Sequence, residues 1–177
     1  MKVYYITGIS GVGKSLVCEE LTKRGYLAYD GDENGLTGWQ EKKSGKYVKS
    51  SDRIAAPSGS LIELYDWSMS KSRLDELVEE ASTQMMFICG TASNRYELWN
   101  IFEKVFCLSI DEETLEHRLI TRTNNDFGKD PRDLKDVIGW HKSSEQTDLK
   151  AGAIFIDATK PIKEVVDNIE AILNQVV

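Results

Sequence analysis

Gly8-Ile9-Ser10-Gly11-Val12-Gly13-Lys14-Ser15 is the stretch that decides the fold of this chain, and it has the form G-x-x-x-x-G-K-S. It directly follows the apolar run of residues 3–6, which predicts a buried strand, and residues 14–24 predict a helix. In this order, backbone N–H groups can surround a polyphosphate at the positive end of the helix. A chance glycine turn is the alternative, but the motif, its position and its flanks agree. The stretch therefore predicts a site for a nucleoside triphosphate.

This phosphate loop, residues 8–15, also supplies two side chains that suit phosphate chemistry. Lys14 can reach the β- and γ-phosphates, and the Ser15 hydroxyl can bind Mg²⁺. We therefore expect ATP and Mg²⁺ as cofactors. The loop residues predicted to bind the nucleotide are Gly8, Ser10, Gly11, Val12, Gly13, Lys14 and Ser15.

Length and composition limit the class of protein. With 177 residues, 41% of them hydrophobic and 29% charged, the chain predicts a single domain over residues 1–177 with a substantial core. The net charge of −7 argues against nucleic acid as a partner, although the lysines of residues 42–49 leave a local RNA or substrate contact as the alternative to a solvated loop. The three cysteines stand in apolar contexts, and no run is apolar enough to span a membrane. We expect a cytoplasmic protein, either a monomer or a homodimer, that acts on a small-molecule phosphate acceptor.

Short apolar runs alternate with helical patterns along the whole chain. Five runs predict strands at residues 3–6, 26–29, 85–89, 105–110 and 153–156. Such alternation predicts a three-layer α/β/α fold of the P-loop NTPase type, with a five-stranded parallel sheet. Two polar segments interrupt the pattern. Residues 31–69 are predicted to be an acceptor-binding insertion, in which residues 33 to about 60 are expected to be mobile with short helical or hairpin pieces. Residues 123–132 are predicted to be a lid.

Two carboxylates follow the second predicted strand, at the sheet edge where ligands of such folds bind. If the chain is still extended there, Asp30 and Asp32 lie on one side of it. A carboxylate beside the phosphate loop can hold Mg²⁺ or its waters, or accept a proton from an acceptor hydroxyl. An ordinary acidic turn is the alternative. We expect Asp30 to contact the acceptor and Asp32 to serve both catalysis and the metal.

Further polar residues are candidates for binding the acceptor. Asn94 and Arg95 follow the third strand, and a planar guanidinium suits bidentate binding of a phosphate or a carboxylate. A structural helix cap is the alternative for this pair. Arg53, in the insertion, is predicted to be a second anchor. The aromatic residues of the insertion predict a small local core, with stacking on a base as the alternative; they are Trp39, Tyr47 and Trp67.

Two arginines precede the predicted lid. Arg118 and Arg122 are four positions apart, so they share one face of a helix. From the hinge of a polar loop they can swing onto the transferring phosphoryl group and offset its developing charge, while closure of the loop excludes water. Pairing with the acidic residues of the same helix is the alternative. We predict that both are catalytic.

Together these motifs resemble the adenylate-kinase-like family of P-loop kinases, which includes nucleoside monophosphate kinases, shikimate kinase and gluconate kinase. The resemblance runs from the first strand to the last helix. Residues 6–11, 89–95 and 122–129 are most similar to small bacterial proteins labelled broad-specificity nucleoside monophosphate kinases. The resemblance implies a P-loop kinase that uses ATP and Mg²⁺.

The resemblance also bears on two strand ends. In the family, the loop after the last strand borders the adenine, which implies that Asp157 and Ala158 bind the nucleotide. The third strand ends here in Cys89-Gly90, without the aspartate that many P-loop enzymes place there for Mg²⁺. This departure shifts that metal contact to an aspartate after the second strand.

Three functions remain open at this point. The first, which we expect, is phosphoryl transfer from ATP to a nucleoside monophosphate, with Lys14, Arg118 and Arg122 stabilising the transferring group. The second is a kinase for a small hydroxylated metabolite, in which Asp32 accepts the proton. The third is a nucleotide-binding regulatory module with little turnover, which predicts that the two arginines point away from the phosphate loop. Basic side chains in the acceptor pocket would favour the first function, and carboxylates would favour the second.

Overall fold

The computed structural model describes residues 2–32, 35–54, 63–81, 84–123, 129 and 131–175. The strands are β1 (Val3–Thr7), β2 (Leu27–Asp30), β3 (Thr37–Glu41), β4 (Tyr47–Val48), β5 (Tyr65–Met69), β6 (Met86–Cys89), β7 (Lys104–Ser109) and β8 (Ile154–Asp157). The α-helices are α1 (Lys14–Lys23), α2 (Lys71–Ala81), α3 (Glu112–Thr121), α4 (Pro131–Lys150) and α5 (Ile162–Asn174). Short 3₁₀ helices cover Ser50–Asp52 and Arg95–Ile101.

Five strands form one parallel sheet in the order β2-β6-β1-β7-β8. Every residue of the central strand β1 is buried, as expected for a strand covered on both faces. Successive side chains of β1 enter different cores: Tyr4 and Ile6 pack with α1, α3 and α5, whereas Val3 and Tyr5 pack with α2. The predicted three-layer fold with a five-stranded parallel sheet is confirmed.

A glycine turn ends α1 and leads the chain into β2. Gly25 adopts a φ of +88°. Its N–H donates to the carbonyl of Thr22 at 3.0 Å, and the N–H of Tyr26 donates to that of Leu21 at 3.1 Å. These two bonds satisfy carbonyls that the helix end would leave unpaired. The turn precedes β2, and β2 ends with Asp30 at the carboxyl edge of the sheet.

The segment between β2 and α2 forms a second, antiparallel sheet in the order β4-β3-β5, here called the insertion sheet. Trp39 lies opposite Trp67 in the register of β3 and β5, and the two rings meet at 5.2 Å between centroids. The expected hairpin pieces are present, and the described helical piece is the 3₁₀ turn Ser50–Asp52. Residues 33–34 and 55–62 of the predicted insertion lie outside the described residues.

α4 begins at Pro131, a residue suited to the first turn of a helix because its missing N–H has no partner there. Of the predicted lid, residues 124–128 and 130 lie outside the described residues. None of the helices in the described part of the chain is both long and apolar enough to cross a membrane.

Candidate active site

Two positions of the phosphate loop require glycine, because the backbone has a positive φ there and a Cβ would be too close to neighbouring atoms. Gly8 has a φ of +142°, and a Cβ there would lie 2.8 Å from the carbonyl oxygen of Leu108. Gly11 has a φ of +95°, and its Cβ would lie 3.0 Å from Leu119 in the core. A side chain would be strained at either position, so the loop lies tightly against the end of β7 and against α3.

Lys14 is held across the phosphate loop. Its Nζ donates hydrogen bonds to the carbonyl oxygens of Gly8 at 2.9 Å and Ile9 at 3.0 Å. Burial lowers the pKa of Lys14, and the nearby carboxylates of Asp32 and Asp30 oppose this shift. The ammonium therefore lies within the electrostatic reach of the two carboxylates that were predicted to join it.

The carboxylates after β2 are fixed by short-range bonds. The N–H of Asp32 donates to Oδ1 of Asp30 at 3.0 Å, and the Thr37 hydroxyl donates to Oδ1 of Asp32 at 2.8 Å. The N–H of Gly31 donates to the carbonyl of Cys89 at 2.8 Å, which holds this turn against the end of β6. Thr37 was not predicted as a site residue, because no strand was predicted at β3, which begins at this residue.

The residues present fit a shared Mg²⁺ site. Ser15 is the second residue of α1, where its side chain is exposed, and it lines a cleft of about 350 Å³ together with Asp30. Among the described residues, no three His, Cys, Asp or Glu side chains cluster to hold a metal ion. A Mg²⁺ ion shared with nucleotide phosphates needs only one or two protein ligands and retains water. A hydroxyl and one carboxylate from this set suffice for that kind of site.

The two predicted catalytic arginines both face the phosphate loop. Arg118 donates to the carbonyl of Val12 at 3.1 Å and to that of Ala158 at 3.0 Å, so it joins the phosphate loop to the loop after β8. Arg122 donates to the Ser10 hydroxyl at 3.3 Å. The regulatory-module hypothesis expected these side chains to point away from the loop, and that expectation is wrong.

The loop after β8 is shaped by its own aspartate. Oδ1 of Asp157 accepts bonds from the hydroxyl of Thr159 at 2.6 Å and from its N–H at 2.9 Å. These bonds, the hydroxyl first, lower the pKa of Asp157. The N–H of Ala158 donates to the carbonyl of Ser109 at 2.8 Å, which pins the loop beside β7. Asp157 and Ala158 thus form an ordered turn next to Arg118.

The side chains of Asn94 and Arg95 both form hydrogen bonds within the protein. The side-chain amide of Asn94 bonds both the N–H and the carbonyl of Met69 in β5, at 2.8 and 2.9 Å. Arg95 donates through Nε to Asp148 of α4 at 2.9 Å and through Nη1 to the carbonyl of Ala92 at 3.0 Å. Binding of an acceptor by Arg95, as predicted, would require its release from Asp148. No local sequence signal links Arg95 to an acid 53 positions further along the chain.

Arg53 lies on the aromatic pair of the insertion sheet. Its guanidinium carbon is 4.6 Å from the ring centroid of Trp39. Thr37 and Trp39 are alternate residues of β3, so they share a face, and Thr37 holds Asp32. We call this face, defined by Thr37, Trp39 and Trp67, the acceptor face. It brings Arg53 and Asp32 to one side of the insertion sheet.

No protein-family model matches the chain, and no curated protein matches it with statistical significance. Solved structures do match. A shikimate kinase from Acinetobacter baumannii in complex with shikimate has a TM-score of 0.63 at 16% identity, over 100% of this chain and 96% of that one. A shikimate kinase from Bacteroides thetaiotaomicron has a TM-score of 0.62 at 18% identity, over 98% of each chain. A deoxyadenosine kinase from M. mycoides with bound dATP has a TM-score of 0.58 at 14% identity, over 97% of this chain and 99% of that one.

This chain has the fold of the P-loop kinases. The expected resemblance to that broad group is confirmed at the level of the fold, because identities of 14–18% carry no more than that. The narrower resemblance to nucleoside monophosphate kinases stays a prediction.

Proposed function

We propose that this protein transfers the γ-phosphoryl group of ATP to a hydroxyl group of a small metabolite. The observation that carries the proposal is the carboxylate of Asp32, which Thr37 holds at 2.8 Å and whose charge acts on Lys14 of the phosphate loop. A hydroxyl nucleophile must lose its proton during transfer, and a fixed carboxylate beside the phosphoryl group can accept that proton.

Each residue then has a role that its contacts support. Lys14 and Arg122 lie at the phosphate loop and would neutralise charge that develops on the transferring oxygens. Arg118 would hold the phosphate loop against the loop after β8, where Asp157 and Ala158 would border the base. Ser15, with Asp32 or Asp30, would hold Mg²⁺. When bound, that ion would offset the negative charge of the phosphates.

The surroundings of the acceptor favour a hydroxyl over a phosphate as the nucleophile. Arg95, the basic residue predicted to bind an acceptor phosphate, is paired with Asp148. Asp30 and Asp32 lie beside Lys14, where they would repel a second phosphate brought close to the transfer point. Carboxylates in the acceptor pocket were the feature that distinguishes a hydroxyl acceptor from a nucleoside monophosphate.

A nucleoside monophosphate is the second candidate acceptor, and one observation favours it. Arg53 lies over Trp39 at 4.6 Å, so the acceptor face offers a cation and aromatic surface together. A phosphate and a base could use these groups. Asp32 would then act mainly through the metal, because a phosphate acceptor needs no strong base.

A coupled assay of ADP formation distinguishes the two candidates. The panel includes shikimate, gluconate, deoxynucleosides and nucleoside monophosphates. With a hydroxyl acceptor, Asp32→Asn should lower kcat about 10²–10⁴-fold, because a general base is lost, while ATP affinity is retained. Asp66→Asn is the matched control, since it removes a carboxylate of β5 on the opposite face of the insertion sheet.

The dependence of kcat on Mg²⁺ concentration separates the two possible roles of Asp32. A base leaves this dependence unchanged in Asp32→Asn, whereas a metal ligand shifts it to higher concentrations. Turnover with monophosphates alone would replace the hydroxyl proposal with the second candidate. Tight ATP binding without turnover on any acceptor would overturn both.

A further inference from the structure

A short segment after β6 makes hydrogen bonds to both the insertion sheet and α4. We call its residues Ser93, Asn94 and Arg95 the junction loop; Arg95 is also the first residue of a 3₁₀ helix. The N–H of Ser93 donates to the carbonyl of Trp67 at 2.8 Å. The side-chain amide of Asn94 accepts from the N–H of Met69 at 2.8 Å and donates to its carbonyl at 2.9 Å. The Asn94 side chain thus pairs with the backbone of Met69 at the edge of β5, as a neighbouring strand would.

The other end of the junction loop is anchored in α4 by a buried ion pair. Arg95 donates to Asp148 at 2.9 Å, and the two side chains are only 11% and 1% exposed. Arg95 also donates to the Ser144 hydroxyl at 3.2 Å, one turn earlier in α4. The same oxygen of Asp148 accepts from the Tyr96 hydroxyl at 2.6 Å. Burial alone would lower the pKa of Arg95, but the charge and hydrogen bond of Asp148 raise it overall.

This arrangement does more than hold the core together. Well-packed apolar residues often stabilise a protein as much as a buried ion pair, so such a pair is weak evidence for a stabilising role. It does fix geometry, because a guanidinium that bonds Asp148, Ser144 and the carbonyl of Ala92 has one orientation. The consecutive residue Asn94 carries that orientation to β5.

We infer that Arg95 and Asp148 are positioning residues, which fix β5 and the acceptor face relative to α4 and to β7, whose Cys107 thiol also lies 3.7 Å from Asp148. Arg95 acts through Asn94 on Met69, and Ser93 acts on Trp67 of the acceptor face. The consequence for turnover rests on the proposed function. The mechanical coupling between α4 and the insertion sheet does not.

Hydrogen exchange of the whole protein tests the coupling without any substrate. In Asp148→Asn, the amides of β5 should exchange roughly tenfold faster or more, because a lost charge-assisted bond shifts a local opening equilibrium by about that factor. Glu170→Gln is the matched control, since it weakens the separate ion-pair cluster that joins α1 to α5 through Arg24. Faster exchange confined to α4 and the junction loop, with β5 unchanged, would overturn the inference.

A second variant covers the case in which Asp148→Asn does not fold. Asn94→Ala cuts the same connection on its sheet side, so β5 should again exchange faster. When both variants fold, the double variant should exchange at β5 little faster than either single one, because both interrupt one connection. Multiplied effects would show two independent local contacts and would contradict the inference.

Kinetics supply the functional readout once an acceptor is known. Both variants should raise the KM for the acceptor about tenfold, while the Kd of a non-hydrolysable ATP analogue changes less than twofold, because the phosphate loop is untouched. Equal losses of ATP and acceptor binding would indicate general destabilisation and refute a positioning role. If the proposed kinase activity itself is absent, hydrogen exchange still decides the coupling.

Discussion

Replacing Gly8 by alanine tests how tightly the phosphate loop is built into the fold. At a φ of +142° an L-residue is strained, which costs about 1–2 kcal/mol. The new Cβ would also lie 2.8 Å from the Leu108 carbonyl and 3.0 Å from a Val12 methyl group, and such overpacking costs about 1–3 kcal/mol. The sum of about 2–5 kcal/mol is a large part of the 5–15 kcal/mol that typically holds a domain folded.

Gly25→Ala separates the two contributions. Gly25 also has a positive φ, of +88°, but nothing lies within 4 Å of the position of its Cβ. It should lose only the backbone contribution, about 1–2 kcal/mol. Urea unfolding of both variants, with comparable m-values, gives the difference directly. We expect Gly8→Ala to be less stable than Gly25→Ala by about 1–3 kcal/mol. Equal losses in the two variants would refute the close approach of the phosphate loop to β7.

Three further predictions concern single side chains. Lys14→Ala should abolish phosphoryl transfer in the coupled assay while circular dichroism shows an intact fold; wild-type activity would disprove the site. Arg24→Met should lower the free energy of unfolding by about 1 kcal/mol in urea titrations, because Arg24 balances three partly exposed carboxylates, and an unchanged midpoint would contradict this. The Thr114 hydroxyl, then its N–H, lower the pKa of Asp111 below its usual 3.8, so this stabilisation is present above that pH and lost as the pH falls through the lowered value. The stability advantage of wild type over Asp111→Asn should therefore shrink below about pH 4, and a pH-independent difference would refute it.

The phosphate loop and the strands of the parallel sheet were predictable because their sequence signals are local. A buried parallel strand appears as a continuous apolar run, so β1 and β6 could be placed within a residue or two. The phosphate loop is formed by eight consecutive residues, 8–15, and its Lys14 contacts the carbonyl of Gly8. Nothing distant in sequence is needed to recognise it.

The insertion sheet was not predictable strand by strand. β3 contains glycine and glutamate, which are depleted in strands, and it pairs with β5. The contact between Trp39 and Trp67 joins segments that are far apart in the chain. Thr37 is only five residues from Asp32, and its N–H donates to the carbonyl of Gly31. The contact is therefore local, but it depends on the start of β3, which the sequence pattern did not predict.

Arg95 shows a different limit of the sequence, because its pairing partner is distant in the chain. Arg95 follows β6, the third strand predicted from the sequence, so it was expected near the carboxyl edge of the sheet. An exposed guanidinium there would suit an anionic acceptor. Whether it is available depends on a distant acid, and Asp148 in α4 supplies one in a site that is 1% exposed. A sequence pattern gives the location of a side chain along the fold, but not the partner that engages it.

Under the proposed function, the charges beside Lys14 limit which acceptors can bind. Asp30 and Asp32 act on Lys14, so an anionic group of the acceptor would be repelled there. Arg53 offers a cation over Trp39, which is one same-face step along β3 from Thr37, a separation of roughly 7 Å. With that function, an acceptor that reaches both places would have its hydroxyl at Asp32 and any anionic group near Arg53, further along the acceptor face.

The substitution Arg53→Gln tests this arrangement. It should raise the KM of anionic acceptors by about tenfold or more, because a charge-assisted bond is lost, and leave the KM of neutral polyols unchanged. Asp32→Asn should instead lower kcat for both classes, since each must lose a hydroxyl proton. Steady-state kinetics on matched anionic and neutral acceptors measure both effects. If Arg53→Gln weakened the two classes equally, Arg53 would support the insertion sheet through Trp39, and the anionic end of the acceptor would have to bind elsewhere.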